Sequence, residues 1–164
     1  MSIVIPPFER ATVVRAAEAE VLETPRGTVR LLADSSQTGG ALSTVRVSLT
    51  KGADGARPHR HQNSAEMVYI LDGRAQVLSG TQILTVEAGD VIVVPPKMPH
   101  AFAAERNSQA DILIVIAPGI ERFAYFRQTA RIARGEERPE SLGDVQEVYD
   151  NYFLNSPEWE SARK

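Results

Sequence analysis

Between Thr28 and Ile116 the chain is cut into nine short segments rich in β-branched and aliphatic residues. They are Thr28 to Leu32, Leu42 to Leu49, Arg57 to His61, Glu66 to Leu71, Arg74 to Leu78, Gln82 to Val86, Val91 to Val94, Ala101 to Ala104 and Ile112 to Ile116. Turn signals separate them, among them Gly39-Gly40, Asp72-Gly73, Ser79-Gly80, Gly89-Asp90 and Pro95-Pro96. Short strands at such close spacing predict an all-β sandwich or barrel. No helix-length pattern interrupts them, which argues against alternating βαβ units.

Alternation locates the core. Val45, Val47 and Leu49 share one face, opposite Arg46 and Ser48. Val91 to Val94 and Ile112 to Ile116 are apolar on both faces, so both faces should be covered, by the second sheet and by a helix or a partner subunit. A homodimer is therefore expected. Residues 1–26 read as an N-terminal extension, 27–118 as the barrel and 119–164 as a C-terminal helical extension. In that extension a first helix should run from about Ile120 to Gly135. A second should start at Ser141, with Asp144 completing a capping box. Its apolar stripe of Leu142, Val145, Val148, Tyr149, Tyr152 and Phe153 would dock on the outside of the barrel. The tail after Pro157 should fray.

The chain of 164 residues suits one domain with tails. Eighteen Lys and Arg against 21 Asp and Glu give a net charge of −3. That lacks the electrostatic footprint of a nucleic-acid binder and the polybasic segment that seeks anionic membranes. There is no cysteine, which excludes disulfides, thiolate metal sites and a cysteine nucleophile. Met1 to Pro7 has no basic start and carries two prolines, so no secretory signal is expected there. The longest apolar run, Ile112 to Ala117, is six residues, too short to span a bilayer. The expectation is a cytoplasmic protein without nucleic-acid or membrane partners.

All three histidines belong to one pattern. His59 and His61 are two apart, and residues at i and i+2 of a strand project to the same side. Glu66 follows after the polar stretch Gln62-Asn63-Ser64-Ala65, which can turn the chain into an adjacent strand. His100 follows the proline turn Pro95 to Pro99 and can approach from a third strand. Three imidazoles and one carboxylate suit one divalent transition metal: Fe, Mn, Co, Ni, Cu or Zn. Four ligands on a six-coordinate ion leave two positions open.

At these residues the sequence resembles the cupin superfamily. The first cupin motif, G-x5-H-x-H-x3,4-E-x6-G, is matched by His59, His61, Glu66 and Gly73, with Ala53 where the leading glycine belongs. The second, G-x5-P-x-G-x2-H-x3-N, is matched by Gly89, Pro95 and His100, with Lys97 and Ala104 as departures. The resemblance covers about residues 27–118. It implies a double-stranded β-helix (jelly-roll) barrel, with helices packed outside and His59, His61, Glu66 and His100 as metal ligands. Single-domain, quercetin-dioxygenase-like cupins are the nearer likeness.

Parity nominates neighbours of the site. Arg57 shares the face of His59 and His61 and could hold an anionic or enolate oxygen of a substrate. Phe102 shares the face of His100 and would wall a pocket. Val68 and Ile70 share the face of Glu66; Met67 and Tyr69 point away. The resemblance implies a dioxygenase acting on a chelating enol or flavonol-like small molecule; Glu66, the only carboxylate in the set, could detach and act as general base. The alternatives are a metal-dependent isomerase or cyclase, and a metal- or ligand-binding barrel without catalysis.

Overall fold

The computed structural model describes residues 8–164; Met1 to Pro7 lies outside the described residues. Strands β1 (Val21–Thr24), β2 (Gly27–Ala33) and β3 (Ser43–Leu49) pair antiparallel in order. β3 then pairs with β9 (Ala110–Ala117). A two-residue strand, β4 (His59–Arg60), precedes the long β5 (Ala65–Ser79). β6 (Gln82–Glu87), β7 (Val91–Val94) and β8 (His100–Ala104) complete the barrel. Helix α1 (Phe123–Ala133), the short α2 (Gln146–Tyr149), β10 (Tyr152–Phe153) and α3 (Pro157–Ala162) follow. This is the expected jelly roll with helices outside it.

β5 joins the two sheets. Residues 65–70 pair with β9 and β7, and residues 74–79 pair with β6 and β8. The expected break at Asp72-Gly73 is instead a bend within one continuous strand, marked by a register shift between Ile70 and Asp72. Gly73 has φ +73°, and a Cβ there would lie 2.0 Å from the Gln109 carbonyl oxygen. Only glycine lets the strand turn the corner against its neighbour.

The interior follows the alternation. Val45, Val47, Leu49, Val68, Ile70, Ile112, Ile114 and Ile116 are buried in one cluster. On the outer face of β7 the described chain supplies no helical cover. Val91 and Val93 are 53% and 65% exposed, and no described residue covers them.

The C-terminal region departs most from the sequence reading. Residues 139–145 form 3₁₀ turns. Ser141 Oγ donates to the Arg138 carbonyl and accepts from Gln128 Nε2, so it caps no helix. α2 ends after one turn because Asp150 takes a left-handed conformation, φ +46°. Tyr152 and Phe153 are then extended and pair with Arg60 and His59. The tail is also ordered. Ser156 caps α3 by accepting from Trp159 N, and Trp159 packs against Leu78, Ala101 and Ala103. Arg163 donates to Asp54, Gln76 and the carbonyls of Ala104 and Gly52.

Trp159 is only 7% exposed, so Trp159→Ala should destabilise the chain by about 3 kcal/mol in urea titration. Val148, 70% exposed, should tolerate Val148→Ser within ~0.5 kcal/mol. Equal, small effects of both would mean that α3 does not dock.

Candidate metal centre and its cavity

His59 and His100 stand directly opposite each other across β4 and β8. Glu66 comes from the start of β5, and His61 from the turn between β4 and β5. The ring centroids lie 5.0 Å (His59–His61), 4.2 Å (His59–His100) and 5.1 Å (His61–His100) apart. One ligand atom from each of the four residues lies within 4.8 Å of the others, and all four side chains are buried. The structure brings together every residue of the expected tetrad.

The hydrogen bonds define the rings' polarity. His59 Nδ1 lies 2.8 Å from the Arg57 carbonyl oxygen, His61 Nδ1 2.7 Å from that of Asp150, and His100 Nδ1 2.9 Å from that of Met98. A carbonyl oxygen only accepts, so each Nδ1 carries the proton. In a neutral ring Nε2 is then a lone pair turned inward, the orientation that metal-ligating histidines are given by outer hydrogen bonds. Yet His61 Nε2 and His100 Nε2 lie 2.7 Å and 3.1 Å from the same Glu66 Oε2. Two acceptors at that distance need positive charge between them, either protons on the rings or a cation. The donor set fits a divalent metal on this observation, since such an ion meets the lone pairs and the carboxylate at once.

The electrostatics of the side chains alone divide the set. Burial, then the charges of His100 and His61, push His59 well below the ordinary imidazole value, so it is neutral. Burial works against ionising Glu66, but His100 and His61 outweigh it and hold the carboxyl well below its usual range. Burial also disfavours the charged form of His100, yet Glu66 overcomes it and raises the pKa.

His59 and Glu66 open onto a cavity of about 330 Å³. Val47, Leu49, Ile114 and Ile116 wall it from the barrel, and Phe126 and Ile132 from α1. Phe102 lines it, as expected. Val68 and Ile70 are buried in the core but are not among its walls. Arg57 is an exposed residue at the cavity's edge, its guanidinium carbon 3.8 Å from the Phe153 ring centroid. A second groove of about 560 Å³ shares Arg57, Phe102 and Phe153 with the cavity and runs toward α3.

Sequence reasoning missed three contributors. Asp150 holds the turn that carries His61: its carbonyl accepts from His61 Nδ1, and its carboxylate accepts from Gln62 N and Asn63 N. Arg122 and Tyr125 line the cavity, and both are buried. Arg122, Tyr125, Thr129 and Ile132 or Ala133 recur at helical spacing along the cavity side. Polar members inside that stripe were the available signal.

Comparison with known proteins agrees with the geometry. Residues 45–116 match the family model of the cupin domain. The uncharacterized protein MJ1618 of Methanocaldococcus jannaschii is 37% identical over 60 residues, 37% of this chain and 48% of that protein. The chain thus matches about half the length of that curated relative. An RmlC-like cupin from Shewanella frigidimarina superposes with TM-score 0.57 at 20% identity, covering 71% of this chain and 99% of that one. The nucleoside dehydratase Pac13 of Streptomyces superposes with TM-score 0.56 at 16% identity, covering 69% and 87%. The polyketide cyclase RemF of Streptomyces resistomycificus gives 0.55 at 17%, covering 66% and 80%. These similarities establish the fold. With the sequence match, they support reading residues 45–116 as a cupin domain. No described helix is long and apolar enough to cross a membrane.

The purified chain should carry one divalent metal. His100→Ala should lower its affinity at least about 100-fold, the upper end of what losing an outer hydrogen-bond partner costs. Elemental analysis after dialysis against a graded metal buffer measures this; unchanged occupancy would exclude the tetrad.

Proposed function

We propose that the chain is a metal-dependent enzyme that moves a proton on a small chelating substrate, in a lyase, isomerase or cyclase type of reaction. The observation that carries this reading is the placement of three kinds of group on one mostly apolar cavity. These are a buried carboxylate, Glu66; a buried phenol, Tyr125; and a buried guanidinium, Arg122. His59, His61, His100 and Glu66 would hold the ion. When bound, a divalent metal supplies Lewis acidity that lowers the pKa of a hydroxyl or α-proton on the substrate.

The residues of the chain supply the rest. Glu66 is held ionised and can accept a proton. Burial raises Tyr125 above the ordinary phenol value, against the pull of Arg122 and Arg57, so its hydroxyl is protonated and able to donate. The aliphatic walls exclude water and strengthen each of these interactions. Phe102 and Phe153 shape the substrate's approach, with Arg57 at the edge. A nucleoside dehydratase and a polyketide cyclase are among the proteins of similar fold, which supports a lyase or cyclase type of reaction.

A second reading is oxygen-dependent cleavage of a flavonol-like enol, the expectation raised by the quercetin-dioxygenase likeness. The aliphatic lining favours it, because dioxygen and a flat aromatic substrate both partition into apolar surroundings. An oxygen electrode separates the two. Protein loaded with Fe(II), Mn(II), Co(II), Ni(II), Cu(II) or Zn(II) would be offered chelating enols, hydroxyketones and hydroxy acids in air and under nitrogen. The expected outcome is conversion at similar rates under both gases, without oxygen uptake. Stoichiometric uptake with no conversion under nitrogen would establish the second reading. Tight ligand binding without conversion under either gas would make the chain a binding barrel.

A further inference from the structure

We propose that Arg122 anchors an acidic oxygen of the molecule that fills the cavity, so that the ligand is a small, mostly apolar anion. The inference deepens the reading of the cavity as a small-molecule site, and it does not require the metal.

Arg122 is 3% exposed and sits immediately before α1. Its backbone is fixed, since its N–H donates to Asp34 Oδ1 at 2.7 Å. The guanidinium lies over the Tyr125 ring, its carbon 4.2 Å from the centroid. Nη1 donates to the Tyr149 carbonyl at 3.0 Å, and Nη2 reaches Asn151 Oδ1 at 3.4 Å. Nε is buried and has no hydrogen-bond partner among the described residues. No carboxylate among the described residues lies within ion-pair distance of this guanidinium, although Arg46, Arg74, Arg127, Arg131, Arg134 and Arg163 each have one. Those six pairs are partly exposed; Arg122 is buried and has no such contact among the described residues, with Glu66, Asp150 and Asp34 acting on it only at longer range. A buried charge without a counter-ion is strongly unfavourable.

The other orphan points the same way. Asn151 Nδ2 is buried without a partner, and it belongs to the side chain that accepts from Arg122. Both unsatisfied atoms are donors, so the missing partner is an acceptor. Next to a guanidinium, an anionic acceptor makes the stronger, charge-assisted bond. Water would fill the hydrogen-bonding role but supply no charge. Because Arg122 lines the same cavity as His59 and Glu66, an oxygen held there belongs to a molecule that faces the tetrad. The aliphatic walls suit the apolar remainder of that molecule.

Benzoate and benzamide share a shape and differ in charge, so they are the probes. Calorimetric titration of the purified chain should show benzoate preferred by at least about tenfold. Arg122→Met should abolish the preference, and Arg122→Lys should restore part of it. Repeating the titrations after dialysis against a chelator separates the two ideas, with metal content measured on the same samples. A preference that survives metal removal belongs to Arg122. A preference that vanishes with the metal yet persists in Arg122→Met would mean that the carboxylate binds the ion, overturning the inference while supporting the metal centre. Equal binding of the two probes, or no benzoate binding up to ~10 mM, would also overturn it. Should Arg122→Met fail to fold, a crystal soak of the unaltered protein decides. A benzoate carboxylate within hydrogen-bond distance of the Arg122 guanidinium is expected, and one placed elsewhere refutes the proposal.

Discussion

The turn that carries His61 is held by a residue far along the chain. Asp150 makes three bonds to it: its carbonyl accepts from His61 Nδ1, and its carboxylate accepts from Gln62 N and Asn63 N. Asp150 can do this because its left-handed conformation ends α2 and turns the chain toward β4. The same turn puts Phe153 opposite His59 and Tyr152 opposite Arg60. It also places the Tyr149 carbonyl and the Asn151 amide against Arg122. One backbone reversal thus orients an imidazole, closes a wall of the cavity and seats the buried guanidinium. The region after Phe123 is therefore part of the site and more than an outer covering of the barrel.

The barrel was legible because its signals are local. Strand parity put His59 and His61 on one side and sent Val68 and Ile70 inward, and with only three histidines the tetrad had few alternatives. What escaped depends on distant partners. Tyr152 and Phe153 fit an apolar helical stripe with Val145 and Val148, and nothing local reveals that a two-residue strand ninety positions earlier awaits them. Asp72-Gly73 reads as a turn. It is a strand bend because the close approach of Gln109, in the β8–β9 connection, needs a residue without Cβ. Trp159 near a chain end reads as frayed, yet it covers Leu78, Ala101 and Ala103.

Arg57 and Arg122 show why parity alone ranks site residues poorly. Parity selected Arg57, which shares the face of His59, but the residue is exposed and its guanidinium stacks on Phe153. An exposed guanidinium is well solvated, and an ion pair there gains little. Arg122 precedes a helix, where a charged residue ordinarily reads as solvated. The fold buries it because Asp34 fixes its backbone and Tyr149, Asn151 and Tyr125 enclose its head. Burial removes the competing water, so a bond made to this arginine counts for more than one made to Arg57.

Charge bookkeeping joins the tetrad to the arginine. Of the buried side chains on the cavity wall, Glu66 contributes −1 and Arg122 contributes +1, while Arg26, Asp54 and Arg57 at its edge are exposed and solvated; the imidazoles contribute nothing when each offers a lone pair. The buried part of the wall is thus balanced, although Glu66 is paired with His61 and His100 and not with Arg122. A divalent ion on the tetrad would bring the sum to +2. An apolar cavity carrying that charge is stable only with compensating anions, because isolated charge is poorly tolerated away from water. A chelating acid or enol answers both demands. Its oxygens would neutralise the ion at one end and meet the Arg122 guanidinium at the other, leaving its hydrocarbon body against Val47, Ile114 and Ile116. A neutral ligand of the same shape would leave the sum unchanged. The pairing of a cation-binding tetrad with an unpaired buried cation therefore specifies the sign of the occupant.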